Sequence, residues 1–192
     1  MELKIIPSEN YKINKWSGGT TKQLFIYPQT SDYKSQNFDF RLSTATVETE
    51  ISEFTLLPKI SRKLMVLEGE IVINHENKYS KQLNKFDVDT FEGDWKTTSI
   101  GTCTDFNLMT TKNTTGELSS VIINKKQKLD FQLESNWEWY FVYVFKGKVR
   151  ILINKDLQII KEGDVLVIEK PLNLFLQILS IENCELVVVK IL

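Results

Sequence analysis

Apolar and polar positions alternate over short runs in this chain. In "FDFRLSTATV", residues 38–47, Phe38, Phe40, Leu42 and Thr44 fall on one side of an extended backbone, and Asp39, Arg41, Ser43 and Ala45 fall on the other. Successive side chains of a strand point to opposite faces, so each set shares a face. "TDFNLMT" repeats the pattern, with Asp105, Asn107 and Met109 opposite Phe106 and Leu108. The runs "RKLMVLEGEIVI", "WKTTSI", "WYFVYVF", "KVRILI", "DVLVIE" and "CELVVVKIL" are rich in β-branched and aromatic residues and are broken by Gly, Asn, Asp and Lys. That is how strands read. No window sustains an apolar period of 3.6, so little helix is expected. Many short strands at roughly 8–12-residue spacing predict an all-β sandwich or barrel.

The pattern also repeats within the chain. "LMVLEGEIVINHEN" matches "VYVFKGKVRILINK", aligning Gly69 with Gly147. Further on, Asp87-Val88 matches Asp164-Val165, so the two copies are colinear with one residue of slippage. A colinear repeat means two copies of one structural unit. Strand, Gly turn, strand and then a Gly-Asp-like turn is the reading of a double-stranded β-helix. The expected architecture is two jelly-roll (cupin) barrels, over residues 1–115 and 116–192. The polar, Lys-rich stretch 112–127 marks the division.

Composition narrows the partners. The 192 residues are 42% hydrophobic and 26% charged, ordinary for a globular protein with a core. A formal net charge of −1 gives no general attraction to nucleic acid or anionic membranes. "MELKIIPSENYKINKW" lacks the apolar core of a signal peptide, and no run approaches the roughly 20 apolar residues of a bilayer span. Cys103 and Cys184 are far apart and form no CxxC, which fits reduced thiols and a cytoplasmic location.

The chemistry-bearing motifs are few. Metal-binding jelly rolls need two or three histidines with a carboxylate, and this chain has one histidine. No metal or other cofactor is therefore expected. His75, in "INHENK", reads as a solvated residue in the turn after a strand. Its solitude also removes an ordinary Ser-His-Asp or Cys-His arrangement. "FDVDTFEGDW" fails as a calcium loop, because the fifth and sixth positions from Asp87 are Phe91 and Glu92. It reads as strand, turn, strand, with Gly93 and Asp94 in the turn. "WSGGTTK", residues 16–22, fails as a phosphate loop because a strand-like run follows it, not a helix. What remains is a glycine pair allowing close backbone approach, two hydroxyls, and Trp16 as a cover for a cavity. A plain hairpin turn is the alternative. The Arg41 and Asp105 faces either meet solvent or line a barrel lumen. A lumenal Arg41 needs a partner, and Asp105 is the candidate.

Taken together, "WSGGTT", "FRLSTATVE", "FTLLPKISRKLMVLEGEIVI", "FDVDTFEGDW" and "DFNLMT" resemble the HutD/Ves family of bacterial proteins. The similarity covers about residues 10–112, and the second half follows the family in outline. The resemblance implies a metal-free bicupin that binds a small acidic metabolite such as formylglutamate. It also implies a role in regulating histidine utilisation or a stress response, with no established catalysis. By motif, the implied pocket residues are Trp16, Gly18, Gly19, Thr20, Thr21, Arg41, Ser43, Arg62, Asp105 and Asn107. The family pattern has Asn before the glycines and Glu after the threonine, where this chain has Ser17 and Gln23. The missing Glu changes the pocket charge.

Three functional readings result. The first is a binding module for a small carboxylate or acyl-amino acid, held by Arg41 and Arg62, with Ser43, Thr20, Thr21 and Asn107 as neutral donors. The second is a metal-independent isomerase or epimerase using Asp105 as base. The third is an interaction protein with an empty barrel. An Asp paired with Arg41 has a lowered pKa and is a weak base, which favours the first. The expected partner is a small anionic metabolite, and a homodimer is compatible with the reading.

Overall fold

The computed structural model describes residues 1–111, 113–153, 156–171 and 174–192. Its strands in chain order begin with β1 (Glu2–Ile6), β2 (Lys12–Trp16), β3 (Gly19–Tyr27), β4 (Phe40–Val47), β5 (Ile51–Glu53) and β6 (Ile60–Gly69). Next come β7 (Ile71–His75), β8 (Tyr79–Leu83), β9 (Val88–Glu92), β10 (Thr97–Ile100), β11 (Cys103–Thr111), β12 (Gly116–Ile123) and β13 (Lys128–Leu133). The last are β14 (Trp139–Lys146), β15 (Lys148–Ile153), β16 (Asp156–Lys161), β17 (Val165–Glu169), β18 (Leu174–Ser180) and β19 (Cys184–Ile191). The fold is all-β. Among the described residues the only helical element is a single 3-10 turn, Ser8–Asn10. Among the described residues no helix is long and apolar enough to cross a membrane.

Two compact units divide the chain. One is Tyr11–Thr115, and the other combines Met1–Asn10 with Gly116–Leu192. The division at 115 therefore needs one amendment: the first ten residues do not join the N-terminal unit. β1 runs antiparallel to β17, from Glu2 opposite Glu169 to Ile6 opposite Val165. The Ser8 amide then donates to Asp164 Oδ1 at 3.0 Å. The stretch 112–127 is also more than a linker, because β12 pairs with β19 along its whole length. Lys112, at its start, lies outside the described residues.

The unit Tyr11–Thr115 is two antiparallel sheets, β2-β3-β4-β11-β6-β9 and β5-β10-β7-β8. Leu64, Val66, Ile71, Ile73, Leu83 and Phe91 form an apolar core within it. The other unit has sheets β1-β17-β14-β19-β12 and β13-β18-β15-β16 around a core that includes Tyr140, Val142, Leu166 and Leu176. The sequence repeat is a repeat of structure. Gly69 and Gly147 have φ of 81° and 89°, where a side chain is strained; Gly69 ends β6 and Gly147 follows β14, each at the turn into a hairpin. A Cβ there would lie 2.4 Å from the Thr102 carbonyl oxygen or 2.5 Å from that of Asn183. Asp87 and Asp164 also match, each accepting from a backbone amide three residues earlier, Asn84 and Lys161. Such side-chain-to-backbone closures span three residues, so they are local and portable between copies.

His75 departs from the sequence reading. It is buried, not a solvated turn residue. β7 alternates, so Ile71, Ile73 and His75 all point inward. The ring bonds Thr97 Oγ1 at 2.7 Å and Asp89 Oδ2 at 2.8 Å. Asp89 also accepts from Tyr79 at 3.2 Å and lies 3.5 Å from Lys81 Nζ. Every polar atom of this cluster has a partner, as burial requires. Both cysteines are free and buried.

Candidate functional site

A cavity of about 570 Å³ opens in the unit Tyr11–Thr115. Strand register builds its wall row by row. Arg41, Met109 and Arg62 are lateral partners on β4, β11 and β6. Two residues along, Gln23, Ser43 and Asn107 are partners on β3, β4 and β11. Two further along stand Thr21, Ala45 and Asp105. The period of two puts all three rows on one face. A bulge between Gln23 and Phe25 keeps Thr21 and Gln23 on that face. A second bulge, at Thr104/Asp105, adjoins the one acidic position in these rows. Bulges of this kind re-aim side chains near functional sites.

The two arginines converge on the middle row. Arg41 donates from Nε to Gln23 Oε1 at 3.0 Å and from Nη1 to Ser43 Oγ at 2.9 Å. Arg62 donates from Nη2 to Asn107 Oδ1 at 3.2 Å. Ser43 and Asn107 are cross-strand neighbours, so the guanidiniums lie side by side. Aromatic rings back them, Tyr33 at 4.5 Å from Arg41, and Phe54 at 4.9 Å and Phe91 at 5.1 Å from Arg62. Cation–π contact stabilises a cation without neutralising it. Neither guanidinium forms an ion pair with a carboxylate among the described residues. Arg62 Nε is buried with no hydrogen-bond partner at all. Burial lowers the Arg41 pKa, and it lowers that of Arg62 to about 10 with a smaller contribution from nearby Arg41. Both remain cations at neutral pH.

Asp105 is not the partner of Arg41 that the sequence predicts. Its Oδ1 accepts from Asn107 Nδ2, so Asn107 links Asp105 to Arg62. Because an arginine can only donate, the Asn107 amide orientation is fixed. Burial pushes the Asp105 pKa up to about 7, against the opposing pull of Arg62 and a backbone hydrogen bond at Ala45. Without an Arg41 ion pair, Asp105 is not the acidified, weak base expected from the sequence. Cys103, on the same face, is pushed up to about 12 by burial and by Asp105, so it is an inert thiol.

Of the ten residues implied by resemblance, Arg41, Ser43, Arg62, Asp105, Asn107, Thr21 and Trp16 line this cavity. Gly18, Gly19 and Thr20 do not. Thr20 pairs with Thr46, one residue out of phase with the lining face. The glycines shape the wall instead. A Cβ on Gly18 would lie 2.1 Å from the Trp16 ring, and one on Gly19 would lie 1.9 Å from the Thr46 carbonyl oxygen. Removing both side chains lets the hairpin close and the indole fold over it. Sequence reasoning missed Gln23, Tyr33, Phe54 and Met109 as lining residues. Gln23 was visible as the next residue on the Thr21 face. Tyr33 sits in a loop where no periodicity speaks. Among the described residues, no group of three or more His, Cys, Asp or Glu is arranged to hold a metal.

The profile of the HutD family matches residues 8–185. No curated protein sequence matches the chain. A conserved protein of unknown function from Pseudomonas aeruginosa is similar in structure, with TM-score 0.85 and 21% identity over 100% of this chain and 99% of that one. HutD from Pseudomonas fluorescens, solved in a formate condition, has TM-score 0.73 and 16% identity over 99% and 98%. A formate complex of oxalate decarboxylase from Lactobacillus farciminis has TM-score 0.73 and 9% identity over 97% and 85%. At these identities the likeness is one of fold, and it is cupin-like.

Proposed function

The chain belongs to the HutD family, and on that premise we propose that it is a metal-free, two-barrel cupin protein that binds a small carboxylate or acyl-amino acid, of the formylglutamate kind, in its N-terminal unit. It acts by binding, in the cytoplasm, as a regulator of histidine utilisation or of a stress response. One observation carries this reading: two buried arginines face one cavity without a carboxylate partner, and Arg62 Nε has no hydrogen-bond partner. A buried donor left unpaired costs free energy, which an arriving acceptor recovers. A carboxylate has the planar, paired oxygens that guanidinium groups match. Calorimetry with N-formyl-L-glutamate and succinate tests it. Arg41→Met and Arg62→Met should each weaken binding by roughly 1.5–3 kcal/mol, the scale of a hydrogen bond to a charged group. Affinity equal to that of the unaltered protein in both variants would defeat the site.

The raised Asp105 favours a second reading, a metal-independent isomerase or epimerase. A carboxyl at about 7 is poised to give and take protons at neutral pH. Solvent deuterium incorporation into a keto acid or sugar nucleotide, abolished in Asp105→Asn, would support it. Absence of exchange leaves the binding reading alone.

A further inference from the structure

We propose that a carboxylate entering this cavity takes up a proton with it, and that Asp105 is the residue that holds the proton. The inference rests on the carboxylate-binding reading of the same site.

Asp105 is 3% exposed and lies one row along the sheet from the pair Ser43 and Asn107, on which the guanidiniums converge. Its ionised form is poorly compensated. Oδ1 accepts from Asn107 and a backbone hydrogen bond at Ala45 helps the carboxylate, while at Oδ2 Cys103 Sγ stands 4.0 Å away, a weak donor at long range. No cationic side chain forms an ion pair with it among the described residues. The charge that favours its ionisation is that of Arg62, acting through space.

A ligand carboxylate changes this balance in two ways. It engages the guanidinium charge that Asp105 depends on. It also places a second anion about 7 Å away, the span of two residues along a strand. Two like charges at that separation, in a site that has lost its water, raise the proton affinity of the weaker acid more than tenfold. Asp105 already holds a proton for part of the time near neutrality, so it is the group that responds. Protonated, Asp105 gains a hydroxyl donor, and Oδ1 still accepts from Asn107. The proton comes from buffer and no covalent bond is made.

The ionisable groups that line the cavity with Asp105 from the elements around it are Arg41 on β4, Arg62 on β6, Tyr33 in the loop before β4, and Cys103 on its own strand. β3 and β10 contribute only neutral Thr21, Gln23 and Ser99. The remaining charged lining residues, Lys12, Lys15, Asp32, Lys34 and Glu53, are exposed. Asp105 is thus the only buried carboxyl among the residues that line the cavity.

Calorimetric titration of the full chain with N-formyl-L-glutamate and with succinate, in buffers of different ionisation enthalpy, tests this. At pH 8 the observed heat should vary with the buffer and report between one half and one proton taken up per ligand. At pH 5.5 uptake should fall towards zero. Affinity should decline above pH 7, approaching tenfold per pH unit. In Asp105→Asn the affinity should lose its pH dependence between 6 and 9, and the heat its buffer dependence. A carboxylic-acid C=O band gained on binding, in infrared difference spectra of the unaltered protein, gives the same answer without a variant. Binding at pH 8 with no proton uptake overturns this inference and leaves the carboxylate site standing. No binding of either probe overturns both.

Discussion

Arg62→Met separates a site built for a ligand from a site built for stability. Arg62 is 6% exposed, and burial lowers its pKa from 12.5 to about 10. That displacement corresponds to about 3 kcal/mol disfavouring the buried cation. Offsetting contributions are visible. The hydrogen bond to Asn107 contributes about 1–2 kcal/mol, and the contacts with Phe54 and Phe91 about 0.5–1 kcal/mol each. The two sides nearly cancel. Met fills a similar volume with no charge to desolvate, and replacing a buried charge by an apolar isostere is often neutral or stabilising. Ligand-free Arg62→Met should therefore unfold within about 1 kcal/mol of the original chain, a shift of roughly 2–4 °C in Tm for a chain of this size. Carboxylate affinity should fall at least about tenfold in the same variant. Urea and thermal unfolding of the ligand-free protein, paired with calorimetry, measure both. A loss of 3–5 kcal/mol is the signature of breaking a compensated buried pair. Finding it would refute the claim that this charge is held open for a ligand.

Three further outcomes follow from the same geometry. Folded Asp105 keeps its proton up to about 7 whereas the unfolded chain releases it near 3.8, so stability declines as pH rises through that window, by at most about 4 kcal/mol. Comparing urea midpoints at pH 4.5 and 7.5 should show that Asp105→Asn lacks this part of the decline; an identical pH profile would count against the buried carboxyl. His75→Ala should cost about 3 kcal/mol, because Asp89 loses its 2.8 Å partner and keeps only Tyr79 and Lys81; a cost below about 1 kcal/mol in chemical denaturation would show that the cluster relaxes freely. Gly19→Ala should cost more than about 2 kcal/mol, since its Cβ meets a backbone oxygen at 1.9 Å, and circular dichroism melts would reveal it.

The chain's own pattern determined the central strands. β4, β6, β11, β14 and β19 combine alternation or long apolar runs with β-branched residues, and burial of those faces leaves them no other register. The repeat was equally legible, because Gly69, Gly147, Asp87 and Asp164 are set by turn geometry, which is local. The polar face carrying Arg41, Ser43, Asp105 and Asn107 was readable as a face, though its pattern alone favoured solvent over a lumen, and only the family resemblance tilted it inward. The edge strands β2, β8 and β16 were not legible: β2 and β8 are mostly polar, and in β16 Leu157 and Ile159 are exposed, so no alternation separates a buried face from a solvated one. Only the tertiary structure decided which charges meet. Sheet register set Arg41 against Gln23 and Ser43, placed Asn107 between Arg62 and Asp105, and left Asp105 without the arginine that sequence reasoning assigned to it. The same holds for β1, whose exposed sequence gives no hint that it closes the sheet of β17 more than 150 residues away. His75 marks the limit most plainly. Its place at the end of an alternating strand was in the sequence, but its burial required Asp89 and Thr97 to arrive from two other strands. Spacing fixes which face a side chain is on. What stands opposite that face, and hence whether a charge is paired, raised or held open, is a property of strands distant in sequence.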